Sequence, residues 1–353
     1  MGFQHIKNIV IRGIAACVPK HIEDNRELLI FGNRDQALKF VETTGVITRH
    51  TINKQNICSS DMCFQAADKL LNDLKWRRED IDCLLFVSQT PDYIMPATAC
   101  ILQDRLGLSN ECFAMDISLG CSGWIHGMAT IGALMQNGSF EKGLLLAGDT
   151  STVTKSPNDK SAYPLFGDSG TATALEYIED AEGIKFHTST DGKGYQSIII
   201  PDGGFRNFYN FNSDKEIEFE DGIKRSKLHT FMDGAAVFTF GISKAPKSIL
   251  GLLSHFNIDI DKVDYFVLHQ ANKLLNEKIR TKLKIPEGKT PYSIDEYGNT
   301  SSSSIPLTMV TRLKKELVST RCSVIACGFG VGLSWGTIYT QIEKIVCPEI
   351  ILI

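Results

Sequence analysis

Two strand-like runs recur along this chain at almost one interval, and that repetition limits the folds open to it. Arg78-Glu-Asp-Ile-Asp-Cys-Leu-Leu-Phe-Val87 is echoed by Asp259-Ile-Asp-Lys-Val-Asp-Tyr-Phe-Val-Leu268, with Asp264 standing 182 positions after Asp82. Leu144-Leu-Leu-Ala-Gly148 is echoed by Val324-Ile-Ala-Cys-Gly328, with Gly328 standing 180 positions after Gly148. Two independent matches at nearly one offset mark an internal duplication. The halves are placed at 1–180 and 181–353, each alternating strands with helices, so the expected class is α/β. A chain of 353 residues exceeds what one simple core usually supports, and two fused halves answer that.

The remaining elements follow from periodicity and punctuation. Residues 6–16 read as the first strand, ending at Val18-Pro19, and a helix is expected in the polar stretch before Arg49-His50. Ser59-Ser60-Asp61 reads as a helix start, with Ala66, Leu70, Leu71 and Leu74 as its apolar stripe. Residues 81–87, 112–117 and 143–147 are short apolar runs, expected as buried strands. A loop through Pro91 and Pro96 leads into a helix ending near Leu106. Leu165-Phe-Gly-Asp-Ser-Gly-Thr171 is a glycine-rich turn into a strand over 171–177. It lacks the Lys-Ser/Thr ending and the following helix of a phosphate-binding loop. Residues 203–227 place Phe205, Phe208, Tyr209 and Phe211 among alternating charges, which makes an exposed excursion, either a lid or a solvated loop.

Composition narrows the function classes. The net charge of −4 supplies no basic field to neutralise phosphates, which argues against a nucleic-acid binder. No signal-peptide pattern and no membrane-length apolar run is found, so no membrane association is expected. Ten cysteines scattered through strands and helices then read as reduced thiols in the cytoplasm. Cys58 and Cys63 lack partners at zinc spacing, and no metal is expected.

The chemistry-bearing stretch runs from Asp116 to Gly127. A strand gives way to Gly120, Cys121, Ser122 and Gly123, then to a helix-length apolar run reaching Met135. Cys121 therefore sits on a tight strand-to-helix turn, where unpaired N–H groups and the helix dipole favour a thiolate. Gly127, Gly132 and Ala133 among large apolar residues suggest a helix buried on most sides. From this stretch alone Cys121 is either a nucleophile or a small buried hydrophobe. The duplication offset carries Cys121 onto Ser301, inside Tyr297-Gly-Asn-Thr-Ser-Ser-Ser-Ser304. Asn299 thereby becomes the counterpart of the cysteine turn, and both should face one central site. His269, ending the strand before Gln270-Ala-Asn272, is the third polar group at a strand end or turn. A thiolate, an imidazole and a carboxamide suit acyl transfer. Gly328-Phe-Gly-Val-Gly332 brings backbone close to another element and is a candidate source of an oxyanion-hole N–H.

With these pieces in order, the chain resembles β-ketoacyl-acyl carrier protein synthase III, of the thiolase-like condensing enzymes. The resemblance rests on Gly13…Pro19…Asn25, Thr44-Gly-Val-Ile-Thr-Arg49-His50, Asp116…Gly120-Cys121-Ser-Gly123, Leu165-Phe-Gly-Asp168, Met232-Asp-Gly234, His269-Gln-Ala-Asn272, Gly298-Asn-Thr-Ser301 and Gly328-Phe-Gly-Val-Gly332…Trp335-Gly336. It implies a five-layered α-β-α-β-α fold, a homodimer and a role in fatty acid biosynthesis. It further implies that Cys121 takes an acyl primer from a thioester, with the oxyanion between the backbone N–H groups of Cys121 and Val331. His269 and Asn299 would hold the carbonyl of malonyl-acyl carrier protein through decarboxylation and attack, giving a 3-oxoacyl product. Asn272, Lys160 and Phe329 are implied substrate contacts, and Met95 the residue that limits a dimer partner's acyl pocket. No cofactor is implied beyond the thioester substrates.

Several positions depart from the family pattern. Lys39 and Lys160 stand where Trp and Arg clamp the adenine of coenzyme A, Thr43 replaces another Arg, and Leu274 a basic residue. Lysine neither stacks as Trp does nor offers the planar fork of Arg. The primer donor is therefore either acyl-coenzyme A or acyl carrier protein. Lys273, Lys278, Arg280, Lys282 and Lys284 are candidate docking charges for that acidic carrier, or simply a solvated helix face. The competing readings are acyl transfer from Cys121 to an oxygen or nitrogen nucleophile, a biosynthetic thiolase, and a non-catalytic partner subunit. Asn299, where thiolases present a His, argues against the thiolase, though Cys327 keeps it open. Retention of Cys121, His269 and Asn299 argues against the non-catalytic subunit.

Overall fold

The computed structural model describes residues 2–353. Its two main sheets are built from β1 (Phe3–Ile6), β2 (Ile9–Val18), β3 (Cys83–Val87), β4 (Phe113–Ile117), β5 (Lys142–Thr150), β6 (Asp168–Tyr177), β7 (Ile184–Thr190), β8 (Tyr265–Leu268), β9 (Arg321–Gly330), β10 (Ser334–Glu343) and β11 (Ile351–Leu352). The helices that frame the site are α1 (Arg34–Thr44), α2 (Ser59–Leu74), α3 (Thr98–Arg105), α4 (Gly123–Met135), α5 (Gly234–His255), α6 (Lys273–Lys282) and α7 (Ser304–Arg312).

The six-stranded sheet is ordered β11-β2-β6-β5-β3-β4 and the five-stranded sheet β1-β7-β10-β9-β8. Within them, β2-β6-β5-β3 and β7-β10-β9-β8 follow one pattern: two antiparallel pairings, then a parallel one. The echoed sequence runs fall on equivalent strands, β3 with β8 and β5 with β9. The chain ends cross over. β1 pairs with β7 of the second sheet, whereas β11 pairs with β2 of the first. The single strand expected over 6–16 is thus two strands in different sheets, separated at Asn8, whose φ of 65° turns the chain between them.

Both sheets are covered on two faces, which explains their continuous apolar runs. Along β3, Leu84 and Phe86 pack outward against Ala66, Leu70 and Leu71 of α2 and Leu102 of α3. Leu85 and Val87 point inward, where Trp124, Ile125 and Met128 of α4 and Leu307 and Val310 of α7 fill the space between the sheets. Across that space the same core takes in Val324, Ala326 and Ile338 of the second sheet. Beyond it, Ile249 of α5 and Leu275 of α6 cover Phe266, Ile325 and Cys327. The layers are therefore helix, sheet, helix, sheet, helix. Each large apolar side chain buried there contributes about 1.5–3 kcal/mol.

Two local expectations are corrected and one holds. β4 is a sheet edge, partly open along its length with Phe113 39% exposed, because a strand with one neighbour cannot be covered as β3 is. α4 is buried on most sides, as expected, with Ala133 exposed on its one open face. β6 begins at Asp168, three residues before the expected Thr171. The start of α2 falls where expected, its first turn closed by the Asp61 carboxylate accepting from the Cys58 N–H at 2.8 Å. Residues 203–227 are an excursion with one short hairpin, Ile217–Glu218 against Lys224–Arg225, and Phe205, Phe208, Tyr209 and Phe211 are exposed. All ten cysteines are free thiols. Among the described residues no helix is long and apolar enough to cross a membrane.

Candidate active site

Cys121 lies two residues before α4, on the turn that follows β4. The opposing wall is the end of β9. A Cβ built on Gly328 would stand 2.8 Å from the Cys121 carbonyl oxygen, and one on Gly330 would stand 2.7 Å from Sγ. The close approach anticipated for Gly328-Phe-Gly-Val-Gly332 is therefore to the cysteine turn itself. The turn is tied across by Ser122 Oγ and Ser334 Oγ, 2.7 Å apart.

The charge state of Cys121 departs from expectation. Burial pushes its thiol up to about 11, with the Asp149 carboxylate adding to the rise. The backbone N–H groups of Val331 and Cys121 pull the other way without overcoming it. A helix N-terminus stabilises a thiolate by dipole alone, whereas burial removes the water that would solvate it. The resting group is the thiol.

His269 directly follows β8 and is 1% exposed. Its Nδ1 is 2.7 Å from Ser304 Oγ at the start of α7, and its ring meets Phe329 edge to face at 5.7 Å. Burial drives its pKa down to about 3, so the imidazole is neutral. Asn299 lies in the turn before α7. Its Oδ1 accepts from the Ser301 N–H at 2.9 Å, which leaves Nδ2 as the free donor. The backbone of Asn299 is sewn to the Leu165–Gly167 stretch through Asn299 N–H to Leu165 O (2.8 Å) and Gly167 N–H to Asn299 O (3.1 Å).

That stretch is held in turn by Arg49, whose Nη1 donates to the carbonyls of Tyr163 (3.0 Å) and Phe166 (2.8 Å). Asp168, just beyond, accepts from the N–H groups of Ile52 and Thr152, and burial raises its pKa to about 6. Asp149 at the end of β5 accepts from Ser302 N–H (3.1 Å), Ser302 Oγ (2.7 Å) and Gln89 N–H (2.7 Å). It thereby joins the cysteine-bearing half to the Asn299 loop.

One cavity of about 300 Å³ reaches all of these groups, and Cys121, His269, Asn299, Val331, Phe329 and Asn272 all line it. Asn272 also caps α6, accepting from the Leu275 N–H at 2.8 Å. Lys160 and Met95 do not line the cavity: Lys160 is half-buried outside it, and Met95 is 78% exposed. Among the described residues of 203–227 none lines the cavity. Its flanks do, through Ile198–Ile200 on one side and Met232, Val237 and Phe238 on the other. Of the candidate docking charges, Lys273, Lys278, Lys282 and Lys284 are exposed, whereas Arg280 is engaged with Glu277 at 2.6 Å. Lys39 and Thr43 are exposed on α1. Sequence reasoning missed Gln89, Thr90, Ser151, Thr154, Lys155 and Thr230 on the cavity wall. No periodicity or spacing marks them, because they converge from separate loops. Among the described residues no three His, Cys, Asp or Glu side chains converge as metal ligands.

Known proteins share this architecture. The family described as 3-oxoacyl-[acyl-carrier-protein (ACP)] synthase III matches residues 115–192, and its C-terminal counterpart matches residues 253–342. The chain is similar to the β-ketoacyl-[acyl-carrier-protein] synthase III of Clostridium perfringens, with 31% identity covering 94% of this chain and 98% of that one. It is 30% identical to the protein of the same name from Rhodopirellula baltica, again over 94% and 98%. The crystal structure of a 3-oxoacyl-(acyl-carrier protein) synthase from Burkholderia xenovorans superposes with a TM-score of 0.93 at 36% identity, covering 99% of both chains.

Proposed function

The chain belongs to the 3-oxoacyl-[acyl-carrier-protein] synthase III family, and from that membership we propose how its residues share the work. It is a transferase of the thiolase fold, a condensing enzyme of fatty acid biosynthesis. Cys121 Sγ attacks the carbonyl of a primer thioester, the oxyanion rests between the N–H groups of Cys121 and Val331, and the carrier thiol leaves with the proton. The observation that carries this reading is the single cavity lined by Cys121, His269, Asn299 and Val331.

Malonyl-acyl carrier protein then enters. We assign Ser304 Oγ as the donor to Nδ1 of His269, 2.7 Å away, which leaves the imidazole proton on Nε2. Nε2–H and the Asn299 Nδ2–H together hold the malonyl thioester oxygen as carbon dioxide departs and enolate charge develops. A neutral imidazole suits this task, since it donates without first having to lose a charge in a dry site. The carbanion attacks the acyl carbon on Cys121, and the thiolate leaves as the 3-oxoacyl product forms. Phe329 fixes the imidazole plane, and the free Nδ2 of Asn272 contacts the substrate arm. Lys160 contacts the donor outside the cavity. The primer comes from acyl-coenzyme A or from acyl carrier protein.

We further propose a cytoplasmic homodimer with halves 1–180 and 181–353. The open edge of β4 and the exposed Tyr93, Ile94 and Met95 support the dimer, because a free strand edge beside apolar side chains invites pairing. Met95 would then reach the partner's acyl pocket. The ten free thiols support a reducing compartment. The test of the reaction is intact-protein mass spectrometry after incubation with acyl thioesters, followed by malonyl-acyl carrier protein with carbon dioxide measured. Acylation of Cys121 without carbon dioxide release would refute condensation.

A further inference from the structure

The cavity that holds Cys121 carries a buried cation in its wall. Lys155 is 7% exposed and lines the cavity with Thr154, Thr230 and Ser151. Its Nζ donates to Thr154 Oγ1 (2.7 Å), Thr230 Oγ1 (3.1 Å) and the Ser151 carbonyl (3.2 Å), and lies 4.1 Å from the Phe166 ring centroid. These partners are all neutral. Among the described residues no carboxylate forms an ion pair with it, whereas Arg49, the other buried cation, is paired with Glu23. The carboxylate of Asp149, on the same cavity, is engaged by Ser302 and the Gln89 N–H.

A wall of this kind is costly around a plain hydrocarbon chain. Burying an ammonium without a paired counter-ion costs several kcal/mol or drives it neutral, and burial lowers the pKa of Lys155 to about 8 even though the carboxylates of Asp149, Asp168 and Asp159, none of them paired with it, pull the other way. An apolar tail would leave that cost in place. An anionic tail would offset it; the Thr154 and Thr230 hydroxyl protons are already given to the Ser151 carbonyl (2.9 Å) and to Thr154 Oγ1 (3.2 Å), so the attraction comes from the ammonium itself. We infer that the acyl group loaded on Cys121 ends in a carboxylate, as in the half-thioester of a dicarboxylic acid, and that Lys155 is the specificity residue that selects it. This rests on the assignment of Cys121 as the acylated residue.

The test uses small thioesters, so that the choice of carrier does not enter. Full-length protein is incubated with succinyl- and glutaryl-N-acetylcysteamine and with the chain-matched butyryl and pentanoyl thioesters, and the rate of Cys121 acylation is followed by mass spectrometry. The carboxylate-bearing member of each pair should react at least tenfold faster, and Lys155→Met should bring the ratio to one or below. Lys155→Arg should keep the preference. Equal or faster reaction of the alkyl thioesters with the unaltered protein would overturn the inference, as would a preference that survives Lys155→Met. Should none of the four thioesters acylate Cys121, the nucleophile assignment itself would fall, a distinguishable result.

Discussion

Gly330 and Cys121 face each other so closely that a single methyl group on the glycine would overlap the cysteine side chain. The built Cβ would stand 2.6 Å from Cys121 Cβ and 2.7 Å from Sγ. Gly330 ends a ten-residue strand paired along its length with β10, so the wall cannot retreat cheaply. The nucleophile's position is therefore set from the opposite half of the chain.

Gly330→Ala should cost about 1–3 kcal/mol of stability through overpacking. It should also slow alkylation of Cys121 by iodoacetamide at least tenfold, because Sγ or the Val331 N–H must move. Thermal melting and peptide mapping report the two effects. Alkylation at the unaltered rate would contradict the contact.

Cys121→Ser should abolish the covalent acyl-enzyme while leaving the melting temperature near that of the unaltered protein, since the change is small and the site opens onto a cavity. Intact mass after thioester incubation checks this. An acyl adduct persisting on another of the ten cysteines would assign the nucleophile elsewhere.

His269→Ala and Asn299→Asp should spare acylation of Cys121 and lower condensation about 10²–10³-fold each, the usual consequence of losing an oxyanion donor. In Asn299→Asp the Ser301 N–H keeps its acceptor while the cavity loses the amide donor. Loss of acylation in His269→Ala would instead make the imidazole the base for the thiol.

The acid–base state of the site is expected to show in its reactivity. With the Cys121 thiol near 11, its alkylation rate should climb about tenfold per pH unit from 6 to 10, following the thiolate fraction. No inflection should appear near 6.5, because His269 titrates at about 3. In the unfolded chain that histidine takes up its proton near 6.5 while the native protein does not, so stability is lost as pH falls from about 6.5 toward 3. Asp168 acts in the opposite sense: its raised native value means stability is lost as pH rises from about 3.8 through 6. His269→Asn should lessen the first slope, which His126, His187 and His229, also held below the ordinary value by burial, share, and leave the second unchanged, as read by denaturant titration across this range.

Ile94→Glu should convert the proposed homodimer to a monomer. The residue is 76% exposed in the single chain, and a carboxylate buried at a subunit contact has no partner there to offset its desolvation. Sedimentation velocity distinguishes the forms; a monomeric unaltered protein would remove the premise.

Much of this protein is legible in order and chemistry along the chain. The echo of Asp82 in Asp264 and of Gly148 in Gly328 announces two like sheets, and the offset from Cys121 to Ser301 correctly brings the Asn299 loop to the cysteine. His269 directly follows a strand, much as its surroundings foretell. These are properties of local pattern, since hydrophobic period and turn residues act over a few positions.

Other features depend on what the folded neighbours remove or supply. Whether β4 is buried depends on how many strands flank it, and whether Cys121 is a thiolate depends on how much water burial excludes, against which a helix end proved too weak. The lysine in the cavity wall belongs to no motif, because Thr154, Thr230 and Phe166 reach it from segments far apart in sequence. Sequence alone determined the kind of fold and singled out the three polar groups that line its cavity. Tertiary structure alone decided their ionisation, the orientation of the Asn299 amide and the charge lining the cavity, because desolvation and hydrogen bonding act through space and not along the chain.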